Sequence, residues 1–466
     1  MTKGKELAKN TLILFIGTFF TKIIQYFLLP LYTSYLSTSE YGIYELFNTS
    51  IYLLIPIIGL QVEHGVFRLL IDNRKNESNK KEIISSAFFF VCFVNVLWLI
   101  IFLMLSNYIN SQYKFIFFIS LVVNSFSSLM MQISRGLGDN KVYSFSNIVT
   151  SIFSIVFNIF FLVCLHFKAQ GMMYGGIIGY SIGIVYLLFR LKLYMYLSLK
   201  SINRRILMKM LKYSLPMIPN TISWWIFSSS DRFIVSGFIG VSATGLLSVA
   251  YKFSNIIIVL YNIFNMSLTE SISLHIRDDD VVDYFSRVFN TVGNLFISLG
   301  SILIAFMPMI FNMLINENYD GAYNLIPFAI IATNFQVLAT MLGTIYVAKN
   351  NTKSVALTSI LAALINIITD LLLINYIGIY AAVISTIVSY LILFIYRVFD
   401  IKRKYFSFNI DKRTFFNICI NGLIISYIFY INTISSSIIN ILFAITFSLY
   451  FNKNSVMFIK KCLNKK

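Results

Sequence analysis

Apolar stretches long enough to cross a bilayer follow one another along nearly the whole chain, parted by short polar segments. A span needs about 20 mostly apolar residues to cross a hydrocarbon core of roughly 30 Å. On that scale the pattern predicts fourteen transmembrane helices, at 12–36, 43–67, 83–106, 114–134, 145–166, 171–190, 213–238, 244–268, 286–314, 323–347, 354–376, 379–398, 414–432 and 435–452. The runs are continuous rather than alternating, which excludes a closed β-barrel. The fold class is therefore an all-α polytopic membrane protein.

The basic residues sort by side. With the N-terminus in the cytoplasm, the segments from Lys3 to Lys9, Arg68 to Lys81, Arg135 to Lys141, Arg190 to Lys212, Arg277 to Arg287, Lys349 to Lys353, Arg397 to Arg413 and Lys453 to Lys466 all face inward. Only Lys114 and Lys168 fall outside, and Lys22, Arg232 and Lys252 lie within spans. This is the distribution expected when cytoplasmic loops carry the positive charge. It places both termini in the cytoplasm of a multi-pass membrane protein.

Composition narrows the class further. The chain is 58% hydrophobic and 12% charged, against about 25% charged in a soluble protein. A net charge of +18 on a soluble chain would suggest nucleic acid. Here it forms a cytoplasmic belt facing anionic membrane lipids, and no nucleic-acid partner is expected. The first apolar run is too long for a cleaved signal peptide. Four scattered cysteines and three distant histidines give neither a disulfide framework nor a metal site, so no metal and no cofactor is expected.

The basic connector at 190–212 divides the first six spans from the rest. Leu36-Ser37-Thr38-Ser39-Glu40-Tyr41-Gly42-Ile43 after the first span is echoed by Ile239-Gly240-Val241-Ser242-Ala243-Thr244-Gly245-Leu246 after the seventh. An even number of spans between the copies makes them parallel repeats. The expected organisation is an N-terminal six-helix lobe (1–200), a C-terminal six-helix lobe (201–405), and two further helices with a basic tail (406–466).

Several spans carry polar residues three, four or seven apart, which places them on one helix face. The first has Thr18, Thr21, Lys22 and Gln25, and the fifth has Asn147, Ser151, Ser154 and Asn158. The seventh has Asn220, Ser223, Trp224, Ser228 and Asp231 with Arg232 alongside; the eighth has Ser248, Lys252, Asn255 and Asn262; the eleventh has Ser359, Asn366 and Asp370. Such stripes serve as interhelical glue, at about 0.6 kcal/mol per contact, or they line a cavity. Ionisable residues within a membrane are costly and face a cavity or a partner. Lys22, Arg232 and Lys252 stand against Glu63, Asp231 and Asp370. One account pairs them, for example Asp231 with Lys252. The other uses the cations to hold an anionic substrate and the carboxylates to bind a coupling ion. Glu63, beside His64 and Arg68, is expected to pair near the cytoplasmic end of its span.

Particular stretches resemble the polysaccharide-biosynthesis flippases, the Wzx-like branch of the multidrug/oligosaccharidyl-lipid/polysaccharide exporter superfamily. They are Pro30-Leu31-Tyr32 with the Leu36–Tyr44 stretch, Arg135-Gly136-Leu137-Gly138-Asp139-Asn140-Lys141, Tyr213-Ser214-Leu215-Pro216-Met217-Ile218-Pro219-Asn220, Trp224-Trp225, Ser230-Asp231-Arg232-Phe233, Gly240, Gly245 and Ala250-Tyr251-Lys252. Leu247 stands where the family often has an aromatic. The resemblance implies a V-shaped pair of six-helix lobes plus two C-terminal helices. It implies a transporter rather than an enzyme, moving undecaprenyl-diphosphate-linked oligosaccharide units from the inner to the outer leaflet for O-antigen or capsule synthesis. Lys22, Arg232 and Lys252 suit a diphosphate, and Gln25, Asn220, Trp224 and Asn255 suit sugars. Asp231 and Asp370 are the candidate proton or sodium sites of an antiporter, and a polysaccharide polymerase is a candidate partner. A drug or metabolite exporter of the same superfamily is the alternative. A membrane-embedded polymerase would need sizeable outer loops, which the pattern lacks.

Overall fold

In the computed structural model, the described residues are 26–108, 111–276, 278–349, 351–431 and 433–453. They are almost entirely helical, with no strand among them. The chain divides into two compact units, Met1–Trp225 and Ile226–Lys466. Eleven helices among the described residues are long and apolar enough to cross a membrane.

In the first unit a short helix, α1 (Leu29–Tyr35), precedes α2 (Thr38–Ile58), which starts on a capping box. The Ser37 hydroxyl accepts from the Glu40 N–H, and the Glu40 carboxylate accepts from the Ser37 N–H, satisfying two otherwise open donors. The predicted span 43–67 is not one helix. It ends at Gly59, and Leu60 and Gln61 adopt left-handed backbone with φ of 49° and 50°. The chain restarts as α3 (Val62–Asp72). Side chains near Pro216 hold this break: Ser214 donates to the Leu60 carbonyl at 2.9 Å, and Gln61 donates to Thr221 at 2.5 Å.

Then follow α4 (Glu77–Leu105), α5 (Lys114–Leu137), α6 (Asn140–Ile159) with a π segment at Phe160–Cys164, and α7 (Lys168–Arg190). Two members of the fifth-span polar stripe, Ser154 and Asn158, prove to be packing residues. Gly175, Gly179 and Gly183 of α7 lie against Asn158, Ser154 and Thr150 of α6, so closely that a Cβ at any of them would collide. Small residues four apart let helix backbones approach where lipid supplies no hydrophobic drive.

The basic connector is half helical. Helix α8 (Arg204–Ser214) buries Met210, which packs in the core cluster of Val66, Leu70 and Ile133. Arg205, Lys209 and Lys212 point outward. That division of faces suits the membrane–water boundary. Gly65 permits the contact with α3, since a Cβ there would stand 2.7 Å from the Met210 carbonyl oxygen.

Helix α9 (Ile218–Phe238) runs through the division between the units. The second unit contains α10 (Val241–His275), α11 (Val281–Leu314), α12 (Ile326–Ala348), α13 (Thr352–Ile377) and α14 (Tyr380–Lys404). Helix α10 has 35 residues, about 52 Å at 1.5 Å per residue, and so outruns the hydrocarbon core. Helix α14 packs on both α12 and α13, and α12 packs on α10. The predicted span 414–432 is α15 (Lys412–Cys419), a π segment (Ile420–Ile425) and α16 (Ser426–Ile431), followed by α17 (Ile434–Phe451). A chain of amides fixes these last helices to α11. Thr414 donates to Asn290 at 2.8 Å, Asn417 to Asn294 at 2.9 Å, and Asn452 to Ser298 at 2.9 Å.

Candidate functional site

The site forms where α9, α10, α13 and α14 supply buried oxygens to one place. Asp231, only 3% exposed, accepts from the Tyr251 hydroxyl at 2.5 Å and from the Thr386 hydroxyl at 3.3 Å, both through Oδ2. Its Oδ1 has no protein donor. Asn366 donates to Ser385 at 3.3 Å and to Thr386 at 3.2 Å, which leaves its own Oδ1 without a donor. Asp370, one turn on along α13 and fully buried, has no donor on either carboxyl oxygen, and it experiences the charge of Asp231.

Four buried oxygens without a donor are costly. Each lost hydrogen bond of this kind costs about 1–3 kcal/mol, and more where the group is charged. Two carboxylates near one another add repulsion. A cation among them relieves both terms at once. The donor set is all oxygen, two carboxylates with an amide and a hydroxyl, which is the chemistry of a hard cation or a proton.

The next residue on α9 faces different chemistry. Arg232 is half-buried. Its Nε donates to Ser248 at 3.3 Å and one Nη to the Ser228 carbonyl at 3.2 Å. Its guanidinium lies 5.5 Å from the Tyr251 ring centre, within cation–π range. Asp231, Arg232, Tyr251, Asn255 and Gln336 line a cavity of about 90 Å³. At roughly 30 Å³ per water this holds an ion with a few waters.

The structure thus brings Asp231, Arg232 and Asn255 around one cavity, with Asp370 beside it. Asn220 and Trp224 are exposed on the earlier turns of α9, and Lys252 is half-buried on α10 without lining the cavity. Lys22 and Gln25 lie outside the described residues. Two pairings expected from the sequence do not form. Asp231 is held by Tyr251 and Thr386 rather than by Lys252, because the tyrosine hydroxyl one residue earlier on α10 reaches it. Glu63 is buried and hydrogen-bonds Ser128, while Arg68 reaches along its own helix to Asp72 at 3.6 Å.

Sequence reasoning missed three residues, two of them participants in this site. Tyr251 and Thr386 were hidden because a hydroxyl inside an apolar span gives no signal of its own. The third, Arg397, is not in a cytoplasmic loop as the charge sorting had it. It is 4% exposed inside α14. It donates to the Ala339 carbonyl at 2.7 Å, to Thr358 at 2.9 and 3.2 Å, and to Ser359 at 3.3 Å. The available signal was spacing: Ser385, Ser389, Leu393 and Arg397 follow one another every fourth residue, and all four are buried.

Several solved structures share this fold. The lipid II flippase MurJ in an inward closed conformation is 18% identical, with a TM-score of 0.72 over 97% of this chain and 100% of that one. A multidrug resistance MATE family transporter of the MOP superfamily, inward-facing, is 13% identical, with a TM-score of 0.67 over 82% and 95%. A MOP superfamily transporter from Pyrococcus furiosus, described by the reversed polarity of its binding pocket, is 13% identical, with a TM-score of 0.58 over 85% and 95%. No curated protein matches the sequence significantly. The family described as polysaccharide biosynthesis protein matches residues 7–269, more than half of the chain, and the chain belongs to that family.

Proposed function

We propose that this protein is a flippase for undecaprenyl-diphosphate-linked oligosaccharide units. It carries them from the inner to the outer leaflet of the bacterial plasma membrane by alternating access and feeds O-antigen or capsule synthesis. Both termini are cytoplasmic, and the coupling ion is a proton or sodium. Membership of the polysaccharide biosynthesis family and the fold shared with a lipid II flippase support this reading.

The observation that carries it is the placing of opposite chemistries on consecutive residues of α9. Asp231 belongs to the donor-poor oxygen cluster with Asp370 and also borders the neighbouring cavity, which Arg232 lines beside it. The carboxylate and the guanidinium attract one another. A cation bound at Asp231 cancels that attraction and so changes how Arg232 takes a diphosphate. Lys22 and Lys252 join Arg232 in gripping the anion, and Gln25, Asn220, Trp224 and Asn255 meet the sugars. Cation and diphosphate binding are then coupled, and linkage makes that coupling reciprocal. Outward movement of each uncompensated negative charge gains roughly 2.3 kcal/mol per 100 mV with the interior negative. Cancelling that charge with Arg232 and the lysines removes the gain, which is why a coupling ion is needed.

The test is complementation of a strain lacking this gene, scored by surface polysaccharide at matched protein level. Lys22→Ala, Arg232→Ala and Lys252→Ala should each reduce it. Normal polysaccharide in all three variants would contradict the substrate assignment. The drug-exporter alternative predicts instead that these variants alter resistance to cationic drugs.

A further inference from the structure

The first unit contains a second cavity, far larger than the ionic one, about 410 Å³ between α2, α4 and α5. That volume lies in the range of pockets that hold a drug-sized molecule, roughly 300–1,000 Å³. Its walls are almost wholly apolar, with Phe47, Leu54, Trp98, Phe102 and Leu121 among them. On α4 the lining runs from Asn95 to Leu105, about 15 Å along the helix, or half of a hydrocarbon core.

One end of it is not apolar. Lys114 lines the cavity at the start of α5, and its ammonium donates to the Ser106 carbonyl at 2.7 Å and sits 5.7 Å from the Phe115 ring centre. Lys114 is one of only two basic residues on the side that the charge distribution assigns to the outside. At the other end lies Asn95, whose amide donates to the Val91 carbonyl and to Ser125.

We propose that this cavity is a binding site for one acyl chain of an anionic phospholipid of the outer leaflet, with the headgroup phosphate on Lys114. An apolar slot half a bilayer deep, with a cation at its outer end, complements a molecule that is apolar for that length and anionic at its end. The slot holds one acyl chain and is too short for a polyprenyl tail of eleven isoprene units. The site is separate from the oxygen cluster of the second unit, and it shares with the functional reading only the orientation of the termini.

Trp98 in the cavity wall provides the probe. The full-length protein with Trp224→Phe and Trp225→Phe, reconstituted in phosphatidylcholine nanodiscs, leaves Trp98 as the single tryptophan of three. Phosphatidylglycerol brominated on its acyl chain should quench Trp98 at about fivefold lower mole fraction than the matching phosphatidylcholine. That ratio corresponds to roughly 1 kcal/mol per lysine at an anionic surface. Lys114→Gln should abolish the difference and leave quenching by both lipids at the lower level. Leu54→Phe, which fills the slot, should weaken quenching by both. Equal quenching by the two lipids in the parent protein would overturn the proposal, as would an unchanged preference in Lys114→Gln. Displacement of the brominated lipid by undecaprenyl phosphate at lower concentration than by phosphatidylglycerol would overturn it in favour of the carrier lipid.

Discussion

The Tyr251 hydroxyl donates to the Asp231 carboxylate at 2.5 Å, and the same tyrosine ring lies under the Arg232 guanidinium at 5.5 Å. One side chain therefore orients both the carboxylate of the cation cluster and the guanidinium beside it. Removing the hydroxyl leaves Asp231 with Thr386 as its remaining hydrogen-bond donor. Groups that orient a ligand in this way typically change ion affinity by about 10–100-fold. Tyr251→Phe should raise the cation concentration for half-maximal transport by that factor and spare protein level, because the ring still packs. Transport titrations against sodium and proton concentration check this.

Arg397 gives a second expectation. Its guanidinium is buried against neutral partners, Thr358, Ser359 and the Ala339 carbonyl. Desolvating one ion costs several kcal/mol in real proteins, and the Thr358 hydroxyl offsets part of this. Thr358→Val should lower stability by about 1–3 kcal/mol, the cost of a lost buried hydrogen bond. Arg397→Met keeps the volume and removes the charge, so Thr358→Val should cost less in the Arg397→Met background. A double-mutant cycle in thermal unfolding measures that difference.

The α6–α7 seam gives a third. A side chain at Gly179 meets the backbone of Ser154 and Thr150, at 2.7 Å for a Cβ alone, whereas Gly176 has nothing within 4 Å. Gly179→Leu should prevent normal accumulation of the protein, since overpacking costs about 1–3 kcal/mol or more. Gly176→Leu should accumulate like the parent. Membrane-fraction immunoblots distinguish the two.

These particulars show what a linear reading of the chain can reach. Apolar run length located the spans because the bilayer imposes one dimension on every helix. It did not show the interruption at Gly59-Leu60-Gln61, which depends on contacts from Ser214 and Thr221 more than 150 residues away. Charge sorting separated the intramembrane cations Arg232 and Lys252 from the loops, yet it misplaced Arg397, because a guanidinium seven residues before Lys404 has the same local composition as a loop residue. Asp231 and Asp370 stood out as charges in apolar runs. Their neighbours Asn366, Thr386 and Tyr251 are selected by helix packing, which composition does not encode. In the fifth-span stripe, which had the spacing of a functional face, Ser154 and Asn158 pack against the glycines of α7.

The central claim is that cation binding at Asp231 and Asp370 governs how Arg232 takes a lipid diphosphate. The direct measurement is flipping of a fluorescent undecaprenyl-diphosphate-linked oligosaccharide in proteoliposomes under imposed sodium and proton gradients. The parent protein should respond to one of the two ions, by about 5–150-fold if the sites couple as ligand sites commonly do. Asp231→Asn and Asp370→Asn should transport slowly and without that response, and Arg232→Gln should fail with or without a gradient. Transport by the parent protein that is indifferent to both ions, or normal transport by Arg232→Gln, would contradict the account.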